Sequence, residues 1–177
     1  MKSLVFRCQP LVVAPFCALL LAGGGGSKPN PNTSGPAIVD NALSRDDFRD
    51  TDDDRYYDIF VCDVTKTGTA AVEMGSDEVD ASLYIYRKNS KGEFDLIAEN
   101  DDISAENVNA RVEFSVARGK SYRIIATSAQ SEERGDYSLY FSEILGRPAR
   151  VLPDANRVAQ SFRLPAMPKK SAKKIAK

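Results

Sequence analysis

Asp80, Asn100, Asp101 and Asp102 offer three carboxylates and an amide oxygen. Oxygen sets of this kind bind a hard cation. The residues between them read as strand, turn and strand, so the two ends of a hairpin would lie side by side and the oxygens would converge. Asp52 and Asp54 belong to an acidic run just upstream, Asp46 to Asp54, and are placed to join them. Hard oxygen ligands in a chain without a single histidine favour Ca²⁺ over zinc. The alternative use of Asn100-Asp101-Asp102 is a turn whose side chains accept hydrogen bonds from nearby backbone N–H groups.

The hairpin itself is legible. Leu83 and Ile85 alternate with Tyr84 and Tyr86, and aromatic and branched residues suit a pleated surface. Asn89-Ser-Lys-Gly92 is turn chemistry, with Gly92 free to take a positive φ. Phe94, Leu96 and Ala98 are expected to form one face of the return strand, closing a loop of four or five residues. Tyr84, Tyr86 and Tyr140 are candidates for an exposed aromatic platform that binds a ligand; packing on the faces of the fold is the alternative.

Other chemistries are poorly supplied. The absence of His removes His-based nucleophilic triads and His-ligated zinc together. Cys62 has no histidine to activate it and reads as a small buried hydrophobe. Asp50-x-Asp52-x-Asp54 copies the first three ligand positions of an EF-hand. The copy then fails, with Arg55 where Gly is needed and Val61 where the bidentate Glu is needed. Carboxylate pairs such as Asp101/Asp102 could serve acid–base chemistry or glycoside hydrolysis. That work needs a deep cleft, which a sandwich of this size rarely has. No catalytic residue is assigned.

The remaining segments supply more strands. Ile38 to Leu43 reads as an edge strand. Tyr56 to Val64 has Tyr57, Ile59 and Val61 on one face. Thr69 to Met74 follows a Thr-Gly turn. Arg111 to Val116 has the cleanest alternation, with Val112, Phe114 and Val116 inward. A tight turn on Gly119 leads to Ser121–Thr127, and Asp136–Glu143 closes the set. Seven or eight strands, turn signals about every ten residues and no convincing helix indicate an all-β, antiparallel β-sandwich.

Asp80-x-x-Leu-Tyr-Ile-Tyr86 followed by Ala98-Glu-Asn-Asp-Asp102 resembles the bacterial pre-peptidase C-terminal domain. Tyr57-Asp-Ile-Phe60, Gly119-Lys-Ser-Tyr122 with Arg-Ile-Ile-Ala126, and Gly135-Asp-Tyr-Ser-Leu139 resemble further strands of that family in the right order. The resemblance spans about Ile38 to Ile144. It implies a secreted, jelly-roll-like β-sandwich that serves as an accessory to extracellular peptidases. It also implies kinship with the collagen-binding modules of clostridial collagenases. In those modules acids from a preceding segment help bind calcium, the position that Asp52 and Asp54 hold here. The segments flanking 38–145 are too short to hold a peptidase, so none is expected on this chain.

The ends read differently. Residues 1–26 combine Lys2, Arg7 and the apolar stretch Leu11 to Ala22, the pattern of a secretory signal. Twelve residues are too few to span a bilayer as a helix; an uncleaved anchor or a wrongly assigned start is the alternative. Residues 27–37 form a Pro/Asn/Ser linker. Residues 38–145 carry 12 Lys/Arg and 24 Asp/Glu, whereas 146–177 carry nine Lys/Arg and one acid. A net charge of −1 thus hides two opposed segments. The basic tail lacks an apolar period and is expected to be disordered when free. Its removal after Arg147 is expected to leave the melting temperature nearly unchanged. No aromatic accompanies its lysines, so nucleic acid is not an expected partner; the roles open to it are contact with an anionic surface, contact with the domain's own acidic face, or nothing beyond solubility.

The leading expectation is a non-catalytic exported module, secreted or held in the periplasm or cell envelope. It would be steadied by calcium and recognise an extracellular protein or polysaccharide. A structural or assembly protein of the envelope, tethered by its basic tail, is the alternative. A hydrolase is the remote one.

Overall fold

The computed structural model describes residues 36–153. The expected signal segment, most of the linker and the tail from residue 154 lie outside the described residues. Ten strands follow in order: β1 (Ala37–Leu43), β2 (Phe48–Arg49), β3 (Tyr56–Asp63), β4 (Gly68–Gly75), β5 (Ala81–Lys88), β6 (Phe94–Asn100), β7 (Ala110–Val116), β8 (Ser121–Ser128), β9 (Gly135–Phe141) and β10 (Ala149–Val151). A single turn of 3-10 helix, Glu143–Leu145, separates the last two.

All strand pairs are antiparallel. One sheet runs β1-β9-β4-β7; the other runs β10-β3-β8-β5-β6, with β2 also paired to β3. Every connection between successive long strands crosses from one sheet to the other, except the β5–β6 hairpin. That is the winding of an eight-stranded jelly roll. The expected seven or eight strands are there. β2 and β10 add two more, which at two and three residues are too short to show a period.

Alternation explains which faces meet. In β7, Ala110, Val112, Phe114 and Val116 are buried while Arg111, Glu113 and Ser115 are exposed, as the sequence pattern requires. The core between the sheets gathers Phe60, Cys62, Val72, Met74, Leu83, Ile85, Ile124, Leu139 and Phe141. β3, β5 and β8 behave differently, because both of their faces are buried. Tyr57, Ile59, Tyr84, Tyr86 and Ile125 form a second cluster on the outward side of the six-stranded sheet, edged by Phe48 and Phe94.

The β5–β6 hairpin has the expected five-residue loop, 89–93, with Gly92 at φ +88°. Asn89 holds the turn: its Oδ1 accepts from the N–H groups of Lys91 and Glu93 at 2.9 and 3.0 Å. One expectation needs correction. Phe94, Leu96 and Ala98 do not share a face. A register shift between Ile85 and Tyr86 pairs Ala98 with Ile85, inward, and Leu96 with Tyr86, outward. An extra residue, Ile97, turns the strand over at that point, as a β-bulge does.

The sandwich also continues past the boundary expected after residue 145. β10 pairs with the middle of β3, Ala149 opposite Val61 and Val151 opposite Ile59. Its three residues carry too little pattern to be read as a strand, and pairing with β3 supplies the backbone hydrogen bonds that hold them.

Candidate functional site

The four-stranded sheet keeps an open outer face. Asp136, Ser138 and Tyr140 alternate outward on β9 while Tyr137, Leu139 and Phe141 point in. On β1, Ile38 and Asp40 lie opposite Tyr140 and Ser138. At one end of this face the β4–β5 connection brings in Ser76, Asp77 and Glu78, and a groove of about 810 Å³ forms. Among the described residues its lining carries four carboxylates (Asp40, Asp77, Glu78, Asp136), amides from Asn41 and Asn109 and the ring of Tyr140, and no lysine or arginine. Tyr140 is 46 % exposed and Ile38 60 %, so an aromatic and an aliphatic side chain stand beside the acids, open to solvent.

The groove's side chains are held from below and from the side. Asp40 Oδ1 accepts from Ser138 Oγ at 2.6 Å. Glu78 Oε2 accepts from the N–H of Asp136 at 2.9 Å, and Ser76 Oγ donates to the Asp136 carbonyl at 2.6 Å. Gly135 permits this close approach: a Cβ there would fall 2.6 Å from Glu78 Cβ. Asn41 and Tyr137, which line the groove, also reach inward to Asp58. Asn41 Nδ2 and Tyr137 Oη donate to Asp58 Oδ2 at 2.7 and 2.6 Å. Arg150 Nε and one terminal nitrogen donate to Asp58 Oδ1 at 2.9 and 2.6 Å, and the same nitrogen reaches Asp47 at 2.6 Å. Asp58 is wholly buried. Burial pushes its carboxyl above the ordinary carboxylate range, although the hydrogen bonds from Tyr137 and Arg150 pull it down. Burial and the neighbouring Asp58 push the Tyr137 phenol well up.

The residues expected to bind calcium sit elsewhere. Asn100 pairs with Leu83, but the chain beyond it turns away, and Val108 rather than Asp102 lies beside Ala81, whose N–H it accepts at 3.2 Å. Asp80 therefore takes its own partners: Gln130 Nε2 donates to its Oδ2 at 3.2 Å, and its N–H donates to Glu133 at 2.9 Å. Asn100 Oδ1 accepts from the N–H groups of Asp101 and Asp102 at 2.9 and 3.3 Å, which is the turn geometry. Asp54, at φ +60°, pairs with Arg49 at 2.9 Å, and the N–H of Asp52 donates to Asp50. Among the described residues no three Asp, Glu or Cys side chains gather as a metal site. The six residues do not fit calcium as one site.

The tyrosines divide between the sheets. Tyr84 and Tyr86 lie buried on the six-stranded sheet, and Tyr140 stands exposed on the four-stranded one, so the three do not form one platform. The reason is that both faces of β5 are covered, whereas β9 has a free outer side. Cys62 is wholly buried, and burial pushes its thiol up to about 12, the condition of an inert core residue. Arg55 and Arg150 were not legible as structural residues. Arg55, 1 % exposed, pairs with Asp53 at 2.6 Å and donates to Tyr84 Oη at 2.9 Å. The excess of acids before β3 is the only sequence signal that such partners were needed.

No family model matches this chain, and no curated protein matches it. Among solved structures it is similar to the Yersinia pseudotuberculosis-derived mitogen, at 15 % identity and a TM-score of 0.46, over 61 % of this chain and 85 % of that one. A likeness at that level carries no argument for this chain's activity.

Proposed function

We propose that the sandwich is a non-catalytic binding module and that it recognises a cationic segment of an extracellular protein in the groove on its four-stranded sheet. One observation carries this reading: four carboxylates and the exposed Tyr140 line a single open groove with no basic side chain among the described residues of its wall. Carboxylates at that density favour lysine and arginine side chains and repel anionic chains. The ring of Tyr140 offers a face over which a guanidinium or ammonium can sit. β1 and β9 supply most of the strand residues that line the groove. Export follows from the basic and apolar start of the sequence and is part of the same reading. Calcium is not part of it, since the residues expected to hold the ion are engaged separately.

The test is binding of the full chain to immobilised Arg/Lys-rich peptide, neutral polysaccharide and polyglutamate. Binding to the basic peptide alone, weakening as salt rises, is expected. Tyr140→Ala should weaken it about three- to fivefold, the worth of an exposed cation–π contact. The double variant Asp40→Asn/Asp136→Asn should weaken it further. Equal retention on polyglutamate, or binding unmoved by these variants, would reject the reading.

A further inference from the structure

The outward face of the six-stranded sheet is apolar and dry. Tyr57 and Ile125 are 0 % exposed, Ile59 4 % and Tyr86 6 %, although all four point away from the core between the sheets. Burial pushes the Tyr86 phenol up to about 12, consistent with a side chain kept from water. The cover seen at its margins is made of single side chains. Phe48 stacks on Tyr57 at 5.5 Å, the Arg55 guanidinium lies 5.7 Å from the Tyr84 ring centre, and Arg123 lies 3.8 Å from that of Phe94. Every described strand belongs to one of the two sheets, and the 3-10 turn packs on β4. No described strand or helix lies across this face.

We propose that the C-terminal segment 161–168 of the same chain lies across it, with Phe162 and Leu164 seated among Tyr57, Tyr84, Tyr86 and Ile125. Three features select this occupant. First, the chain leaves β10 at an edge of this very sheet, and β2 occupies the next stretch of the same edge of β3. β2 thus blocks continuation of β10 along that edge. Second, the reach is sufficient. From β10 to β6 is four strand spacings, about 19 Å. The nine residues from Pro153 to Phe162 span up to about 30 Å when extended. Third, the segment has the right chemistry. Ser161-Phe-Arg-Leu-Pro-Ala-Met-Pro168 holds the tail's only aromatic residue, alternates Phe162 and Leu164 with Arg163, and carries prolines that forbid a helix. The lysines that follow would come out past β6, where Glu93, Asp95 and Glu99 lie, with Asp101 and Asp102 just beyond. The opposite charges of tail and sandwich then meet at a defined place.

The experiment uses the full chain. The variant Phe162→Asp/Leu164→Asp should melt several degrees lower and bind a hydrophobic dye several-fold more strongly. Melting and dye binding unchanged from the parent would overturn the proposal. A second measurement does not depend on the variant's stability: a benzophenone side chain placed at 162 and photoactivated in the full-length protein. Cross-links within one chain to peptides holding Tyr84, Tyr86 or Ile125 are expected. Cross-links to another copy would assign the face to a dimer, and cross-links confined to the groove of Tyr140 would assign the tail to the other sheet; either overturns the proposal.

Discussion

Arg150 donates two hydrogen bonds, at 2.9 and 2.6 Å, to the buried carboxylate of Asp58, a residue 92 positions earlier in the chain. The contact ties the last described strand to β3, its neighbour in the six-stranded sheet. Through Asn41 and Tyr137 the same carboxylate is tied to β1 and β9, which carry the groove. The pair is therefore a link between the end of the chain and the candidate site.

Loss of Arg150 should be costly. Arg150→Ala leaves Asp58 buried with its cation gone, and breaking one side of a buried pair costs about 3–5 kcal/mol. Arg150 keeps some exposure, so the lower end, about 3 kcal/mol, is expected. The double variant Arg150→Ala/Asp58→Asn should cost less than the two single losses together. Truncation after Arg147, expected from sequence alone to be harmless, should destabilise at least as much as Arg150→Ala. Urea denaturation of each variant measures this; a loss below about 0.5 kcal/mol, the scale of an ordinary surface substitution, would show that the pair contributes little.

High pH should unfold the protein through its tyrosines. Burial raises the phenols of Tyr84 and Tyr137, and that of Tyr86 up to about 12. The folded state then keeps protons that the unfolded chain releases near pH 10. The stability these groups contribute is whole below pH 10 and is lost as pH rises above it toward their raised folded-state values, about 12 for Tyr86, by up to about 1.4 kcal/mol per group per pH unit. Absorbance at the phenolate band, followed with circular dichroism, should show fewer than the seven tyrosines of the sequence titrating before the fold is lost. Complete titration of all seven in the folded state would contradict the burial.

Calcium should leave the melting temperature unchanged. Asn100 is committed to two backbone N–H groups, Asp54 to Arg49, and Asp80 to Gln130. Melting curves in calcium and in EDTA are expected to coincide. A rise of several degrees in calcium, abolished in Asp101→Ala/Asp102→Ala, would show that the ion reorganises this corner of the sandwich.

What the sequence determined by itself was the local structure. Period-two alternation at Val112, Phe114 and Val116 fixes the inward face of β7, because successive side chains on a strand point to opposite sides. Asn89 and Gly92 specify the hairpin turn, since only certain residues accept its backbone angles. Tertiary structure decided what those strands face. Both sides of β5 are covered, so Tyr84 and Tyr86 are interior, while β9 has a free outer side and leaves Tyr140 exposed. A strand's pattern is the same whether its second face meets solvent or another layer of chain. The candidate site was beyond the sequence for a related reason. Asp40, Glu78 and Asp136 are brought together by strand order, and Arg150 meets Asp58 through pairing across 92 residues. No local pattern records such separations, because the free energy that selects them comes from closing the whole sandwich.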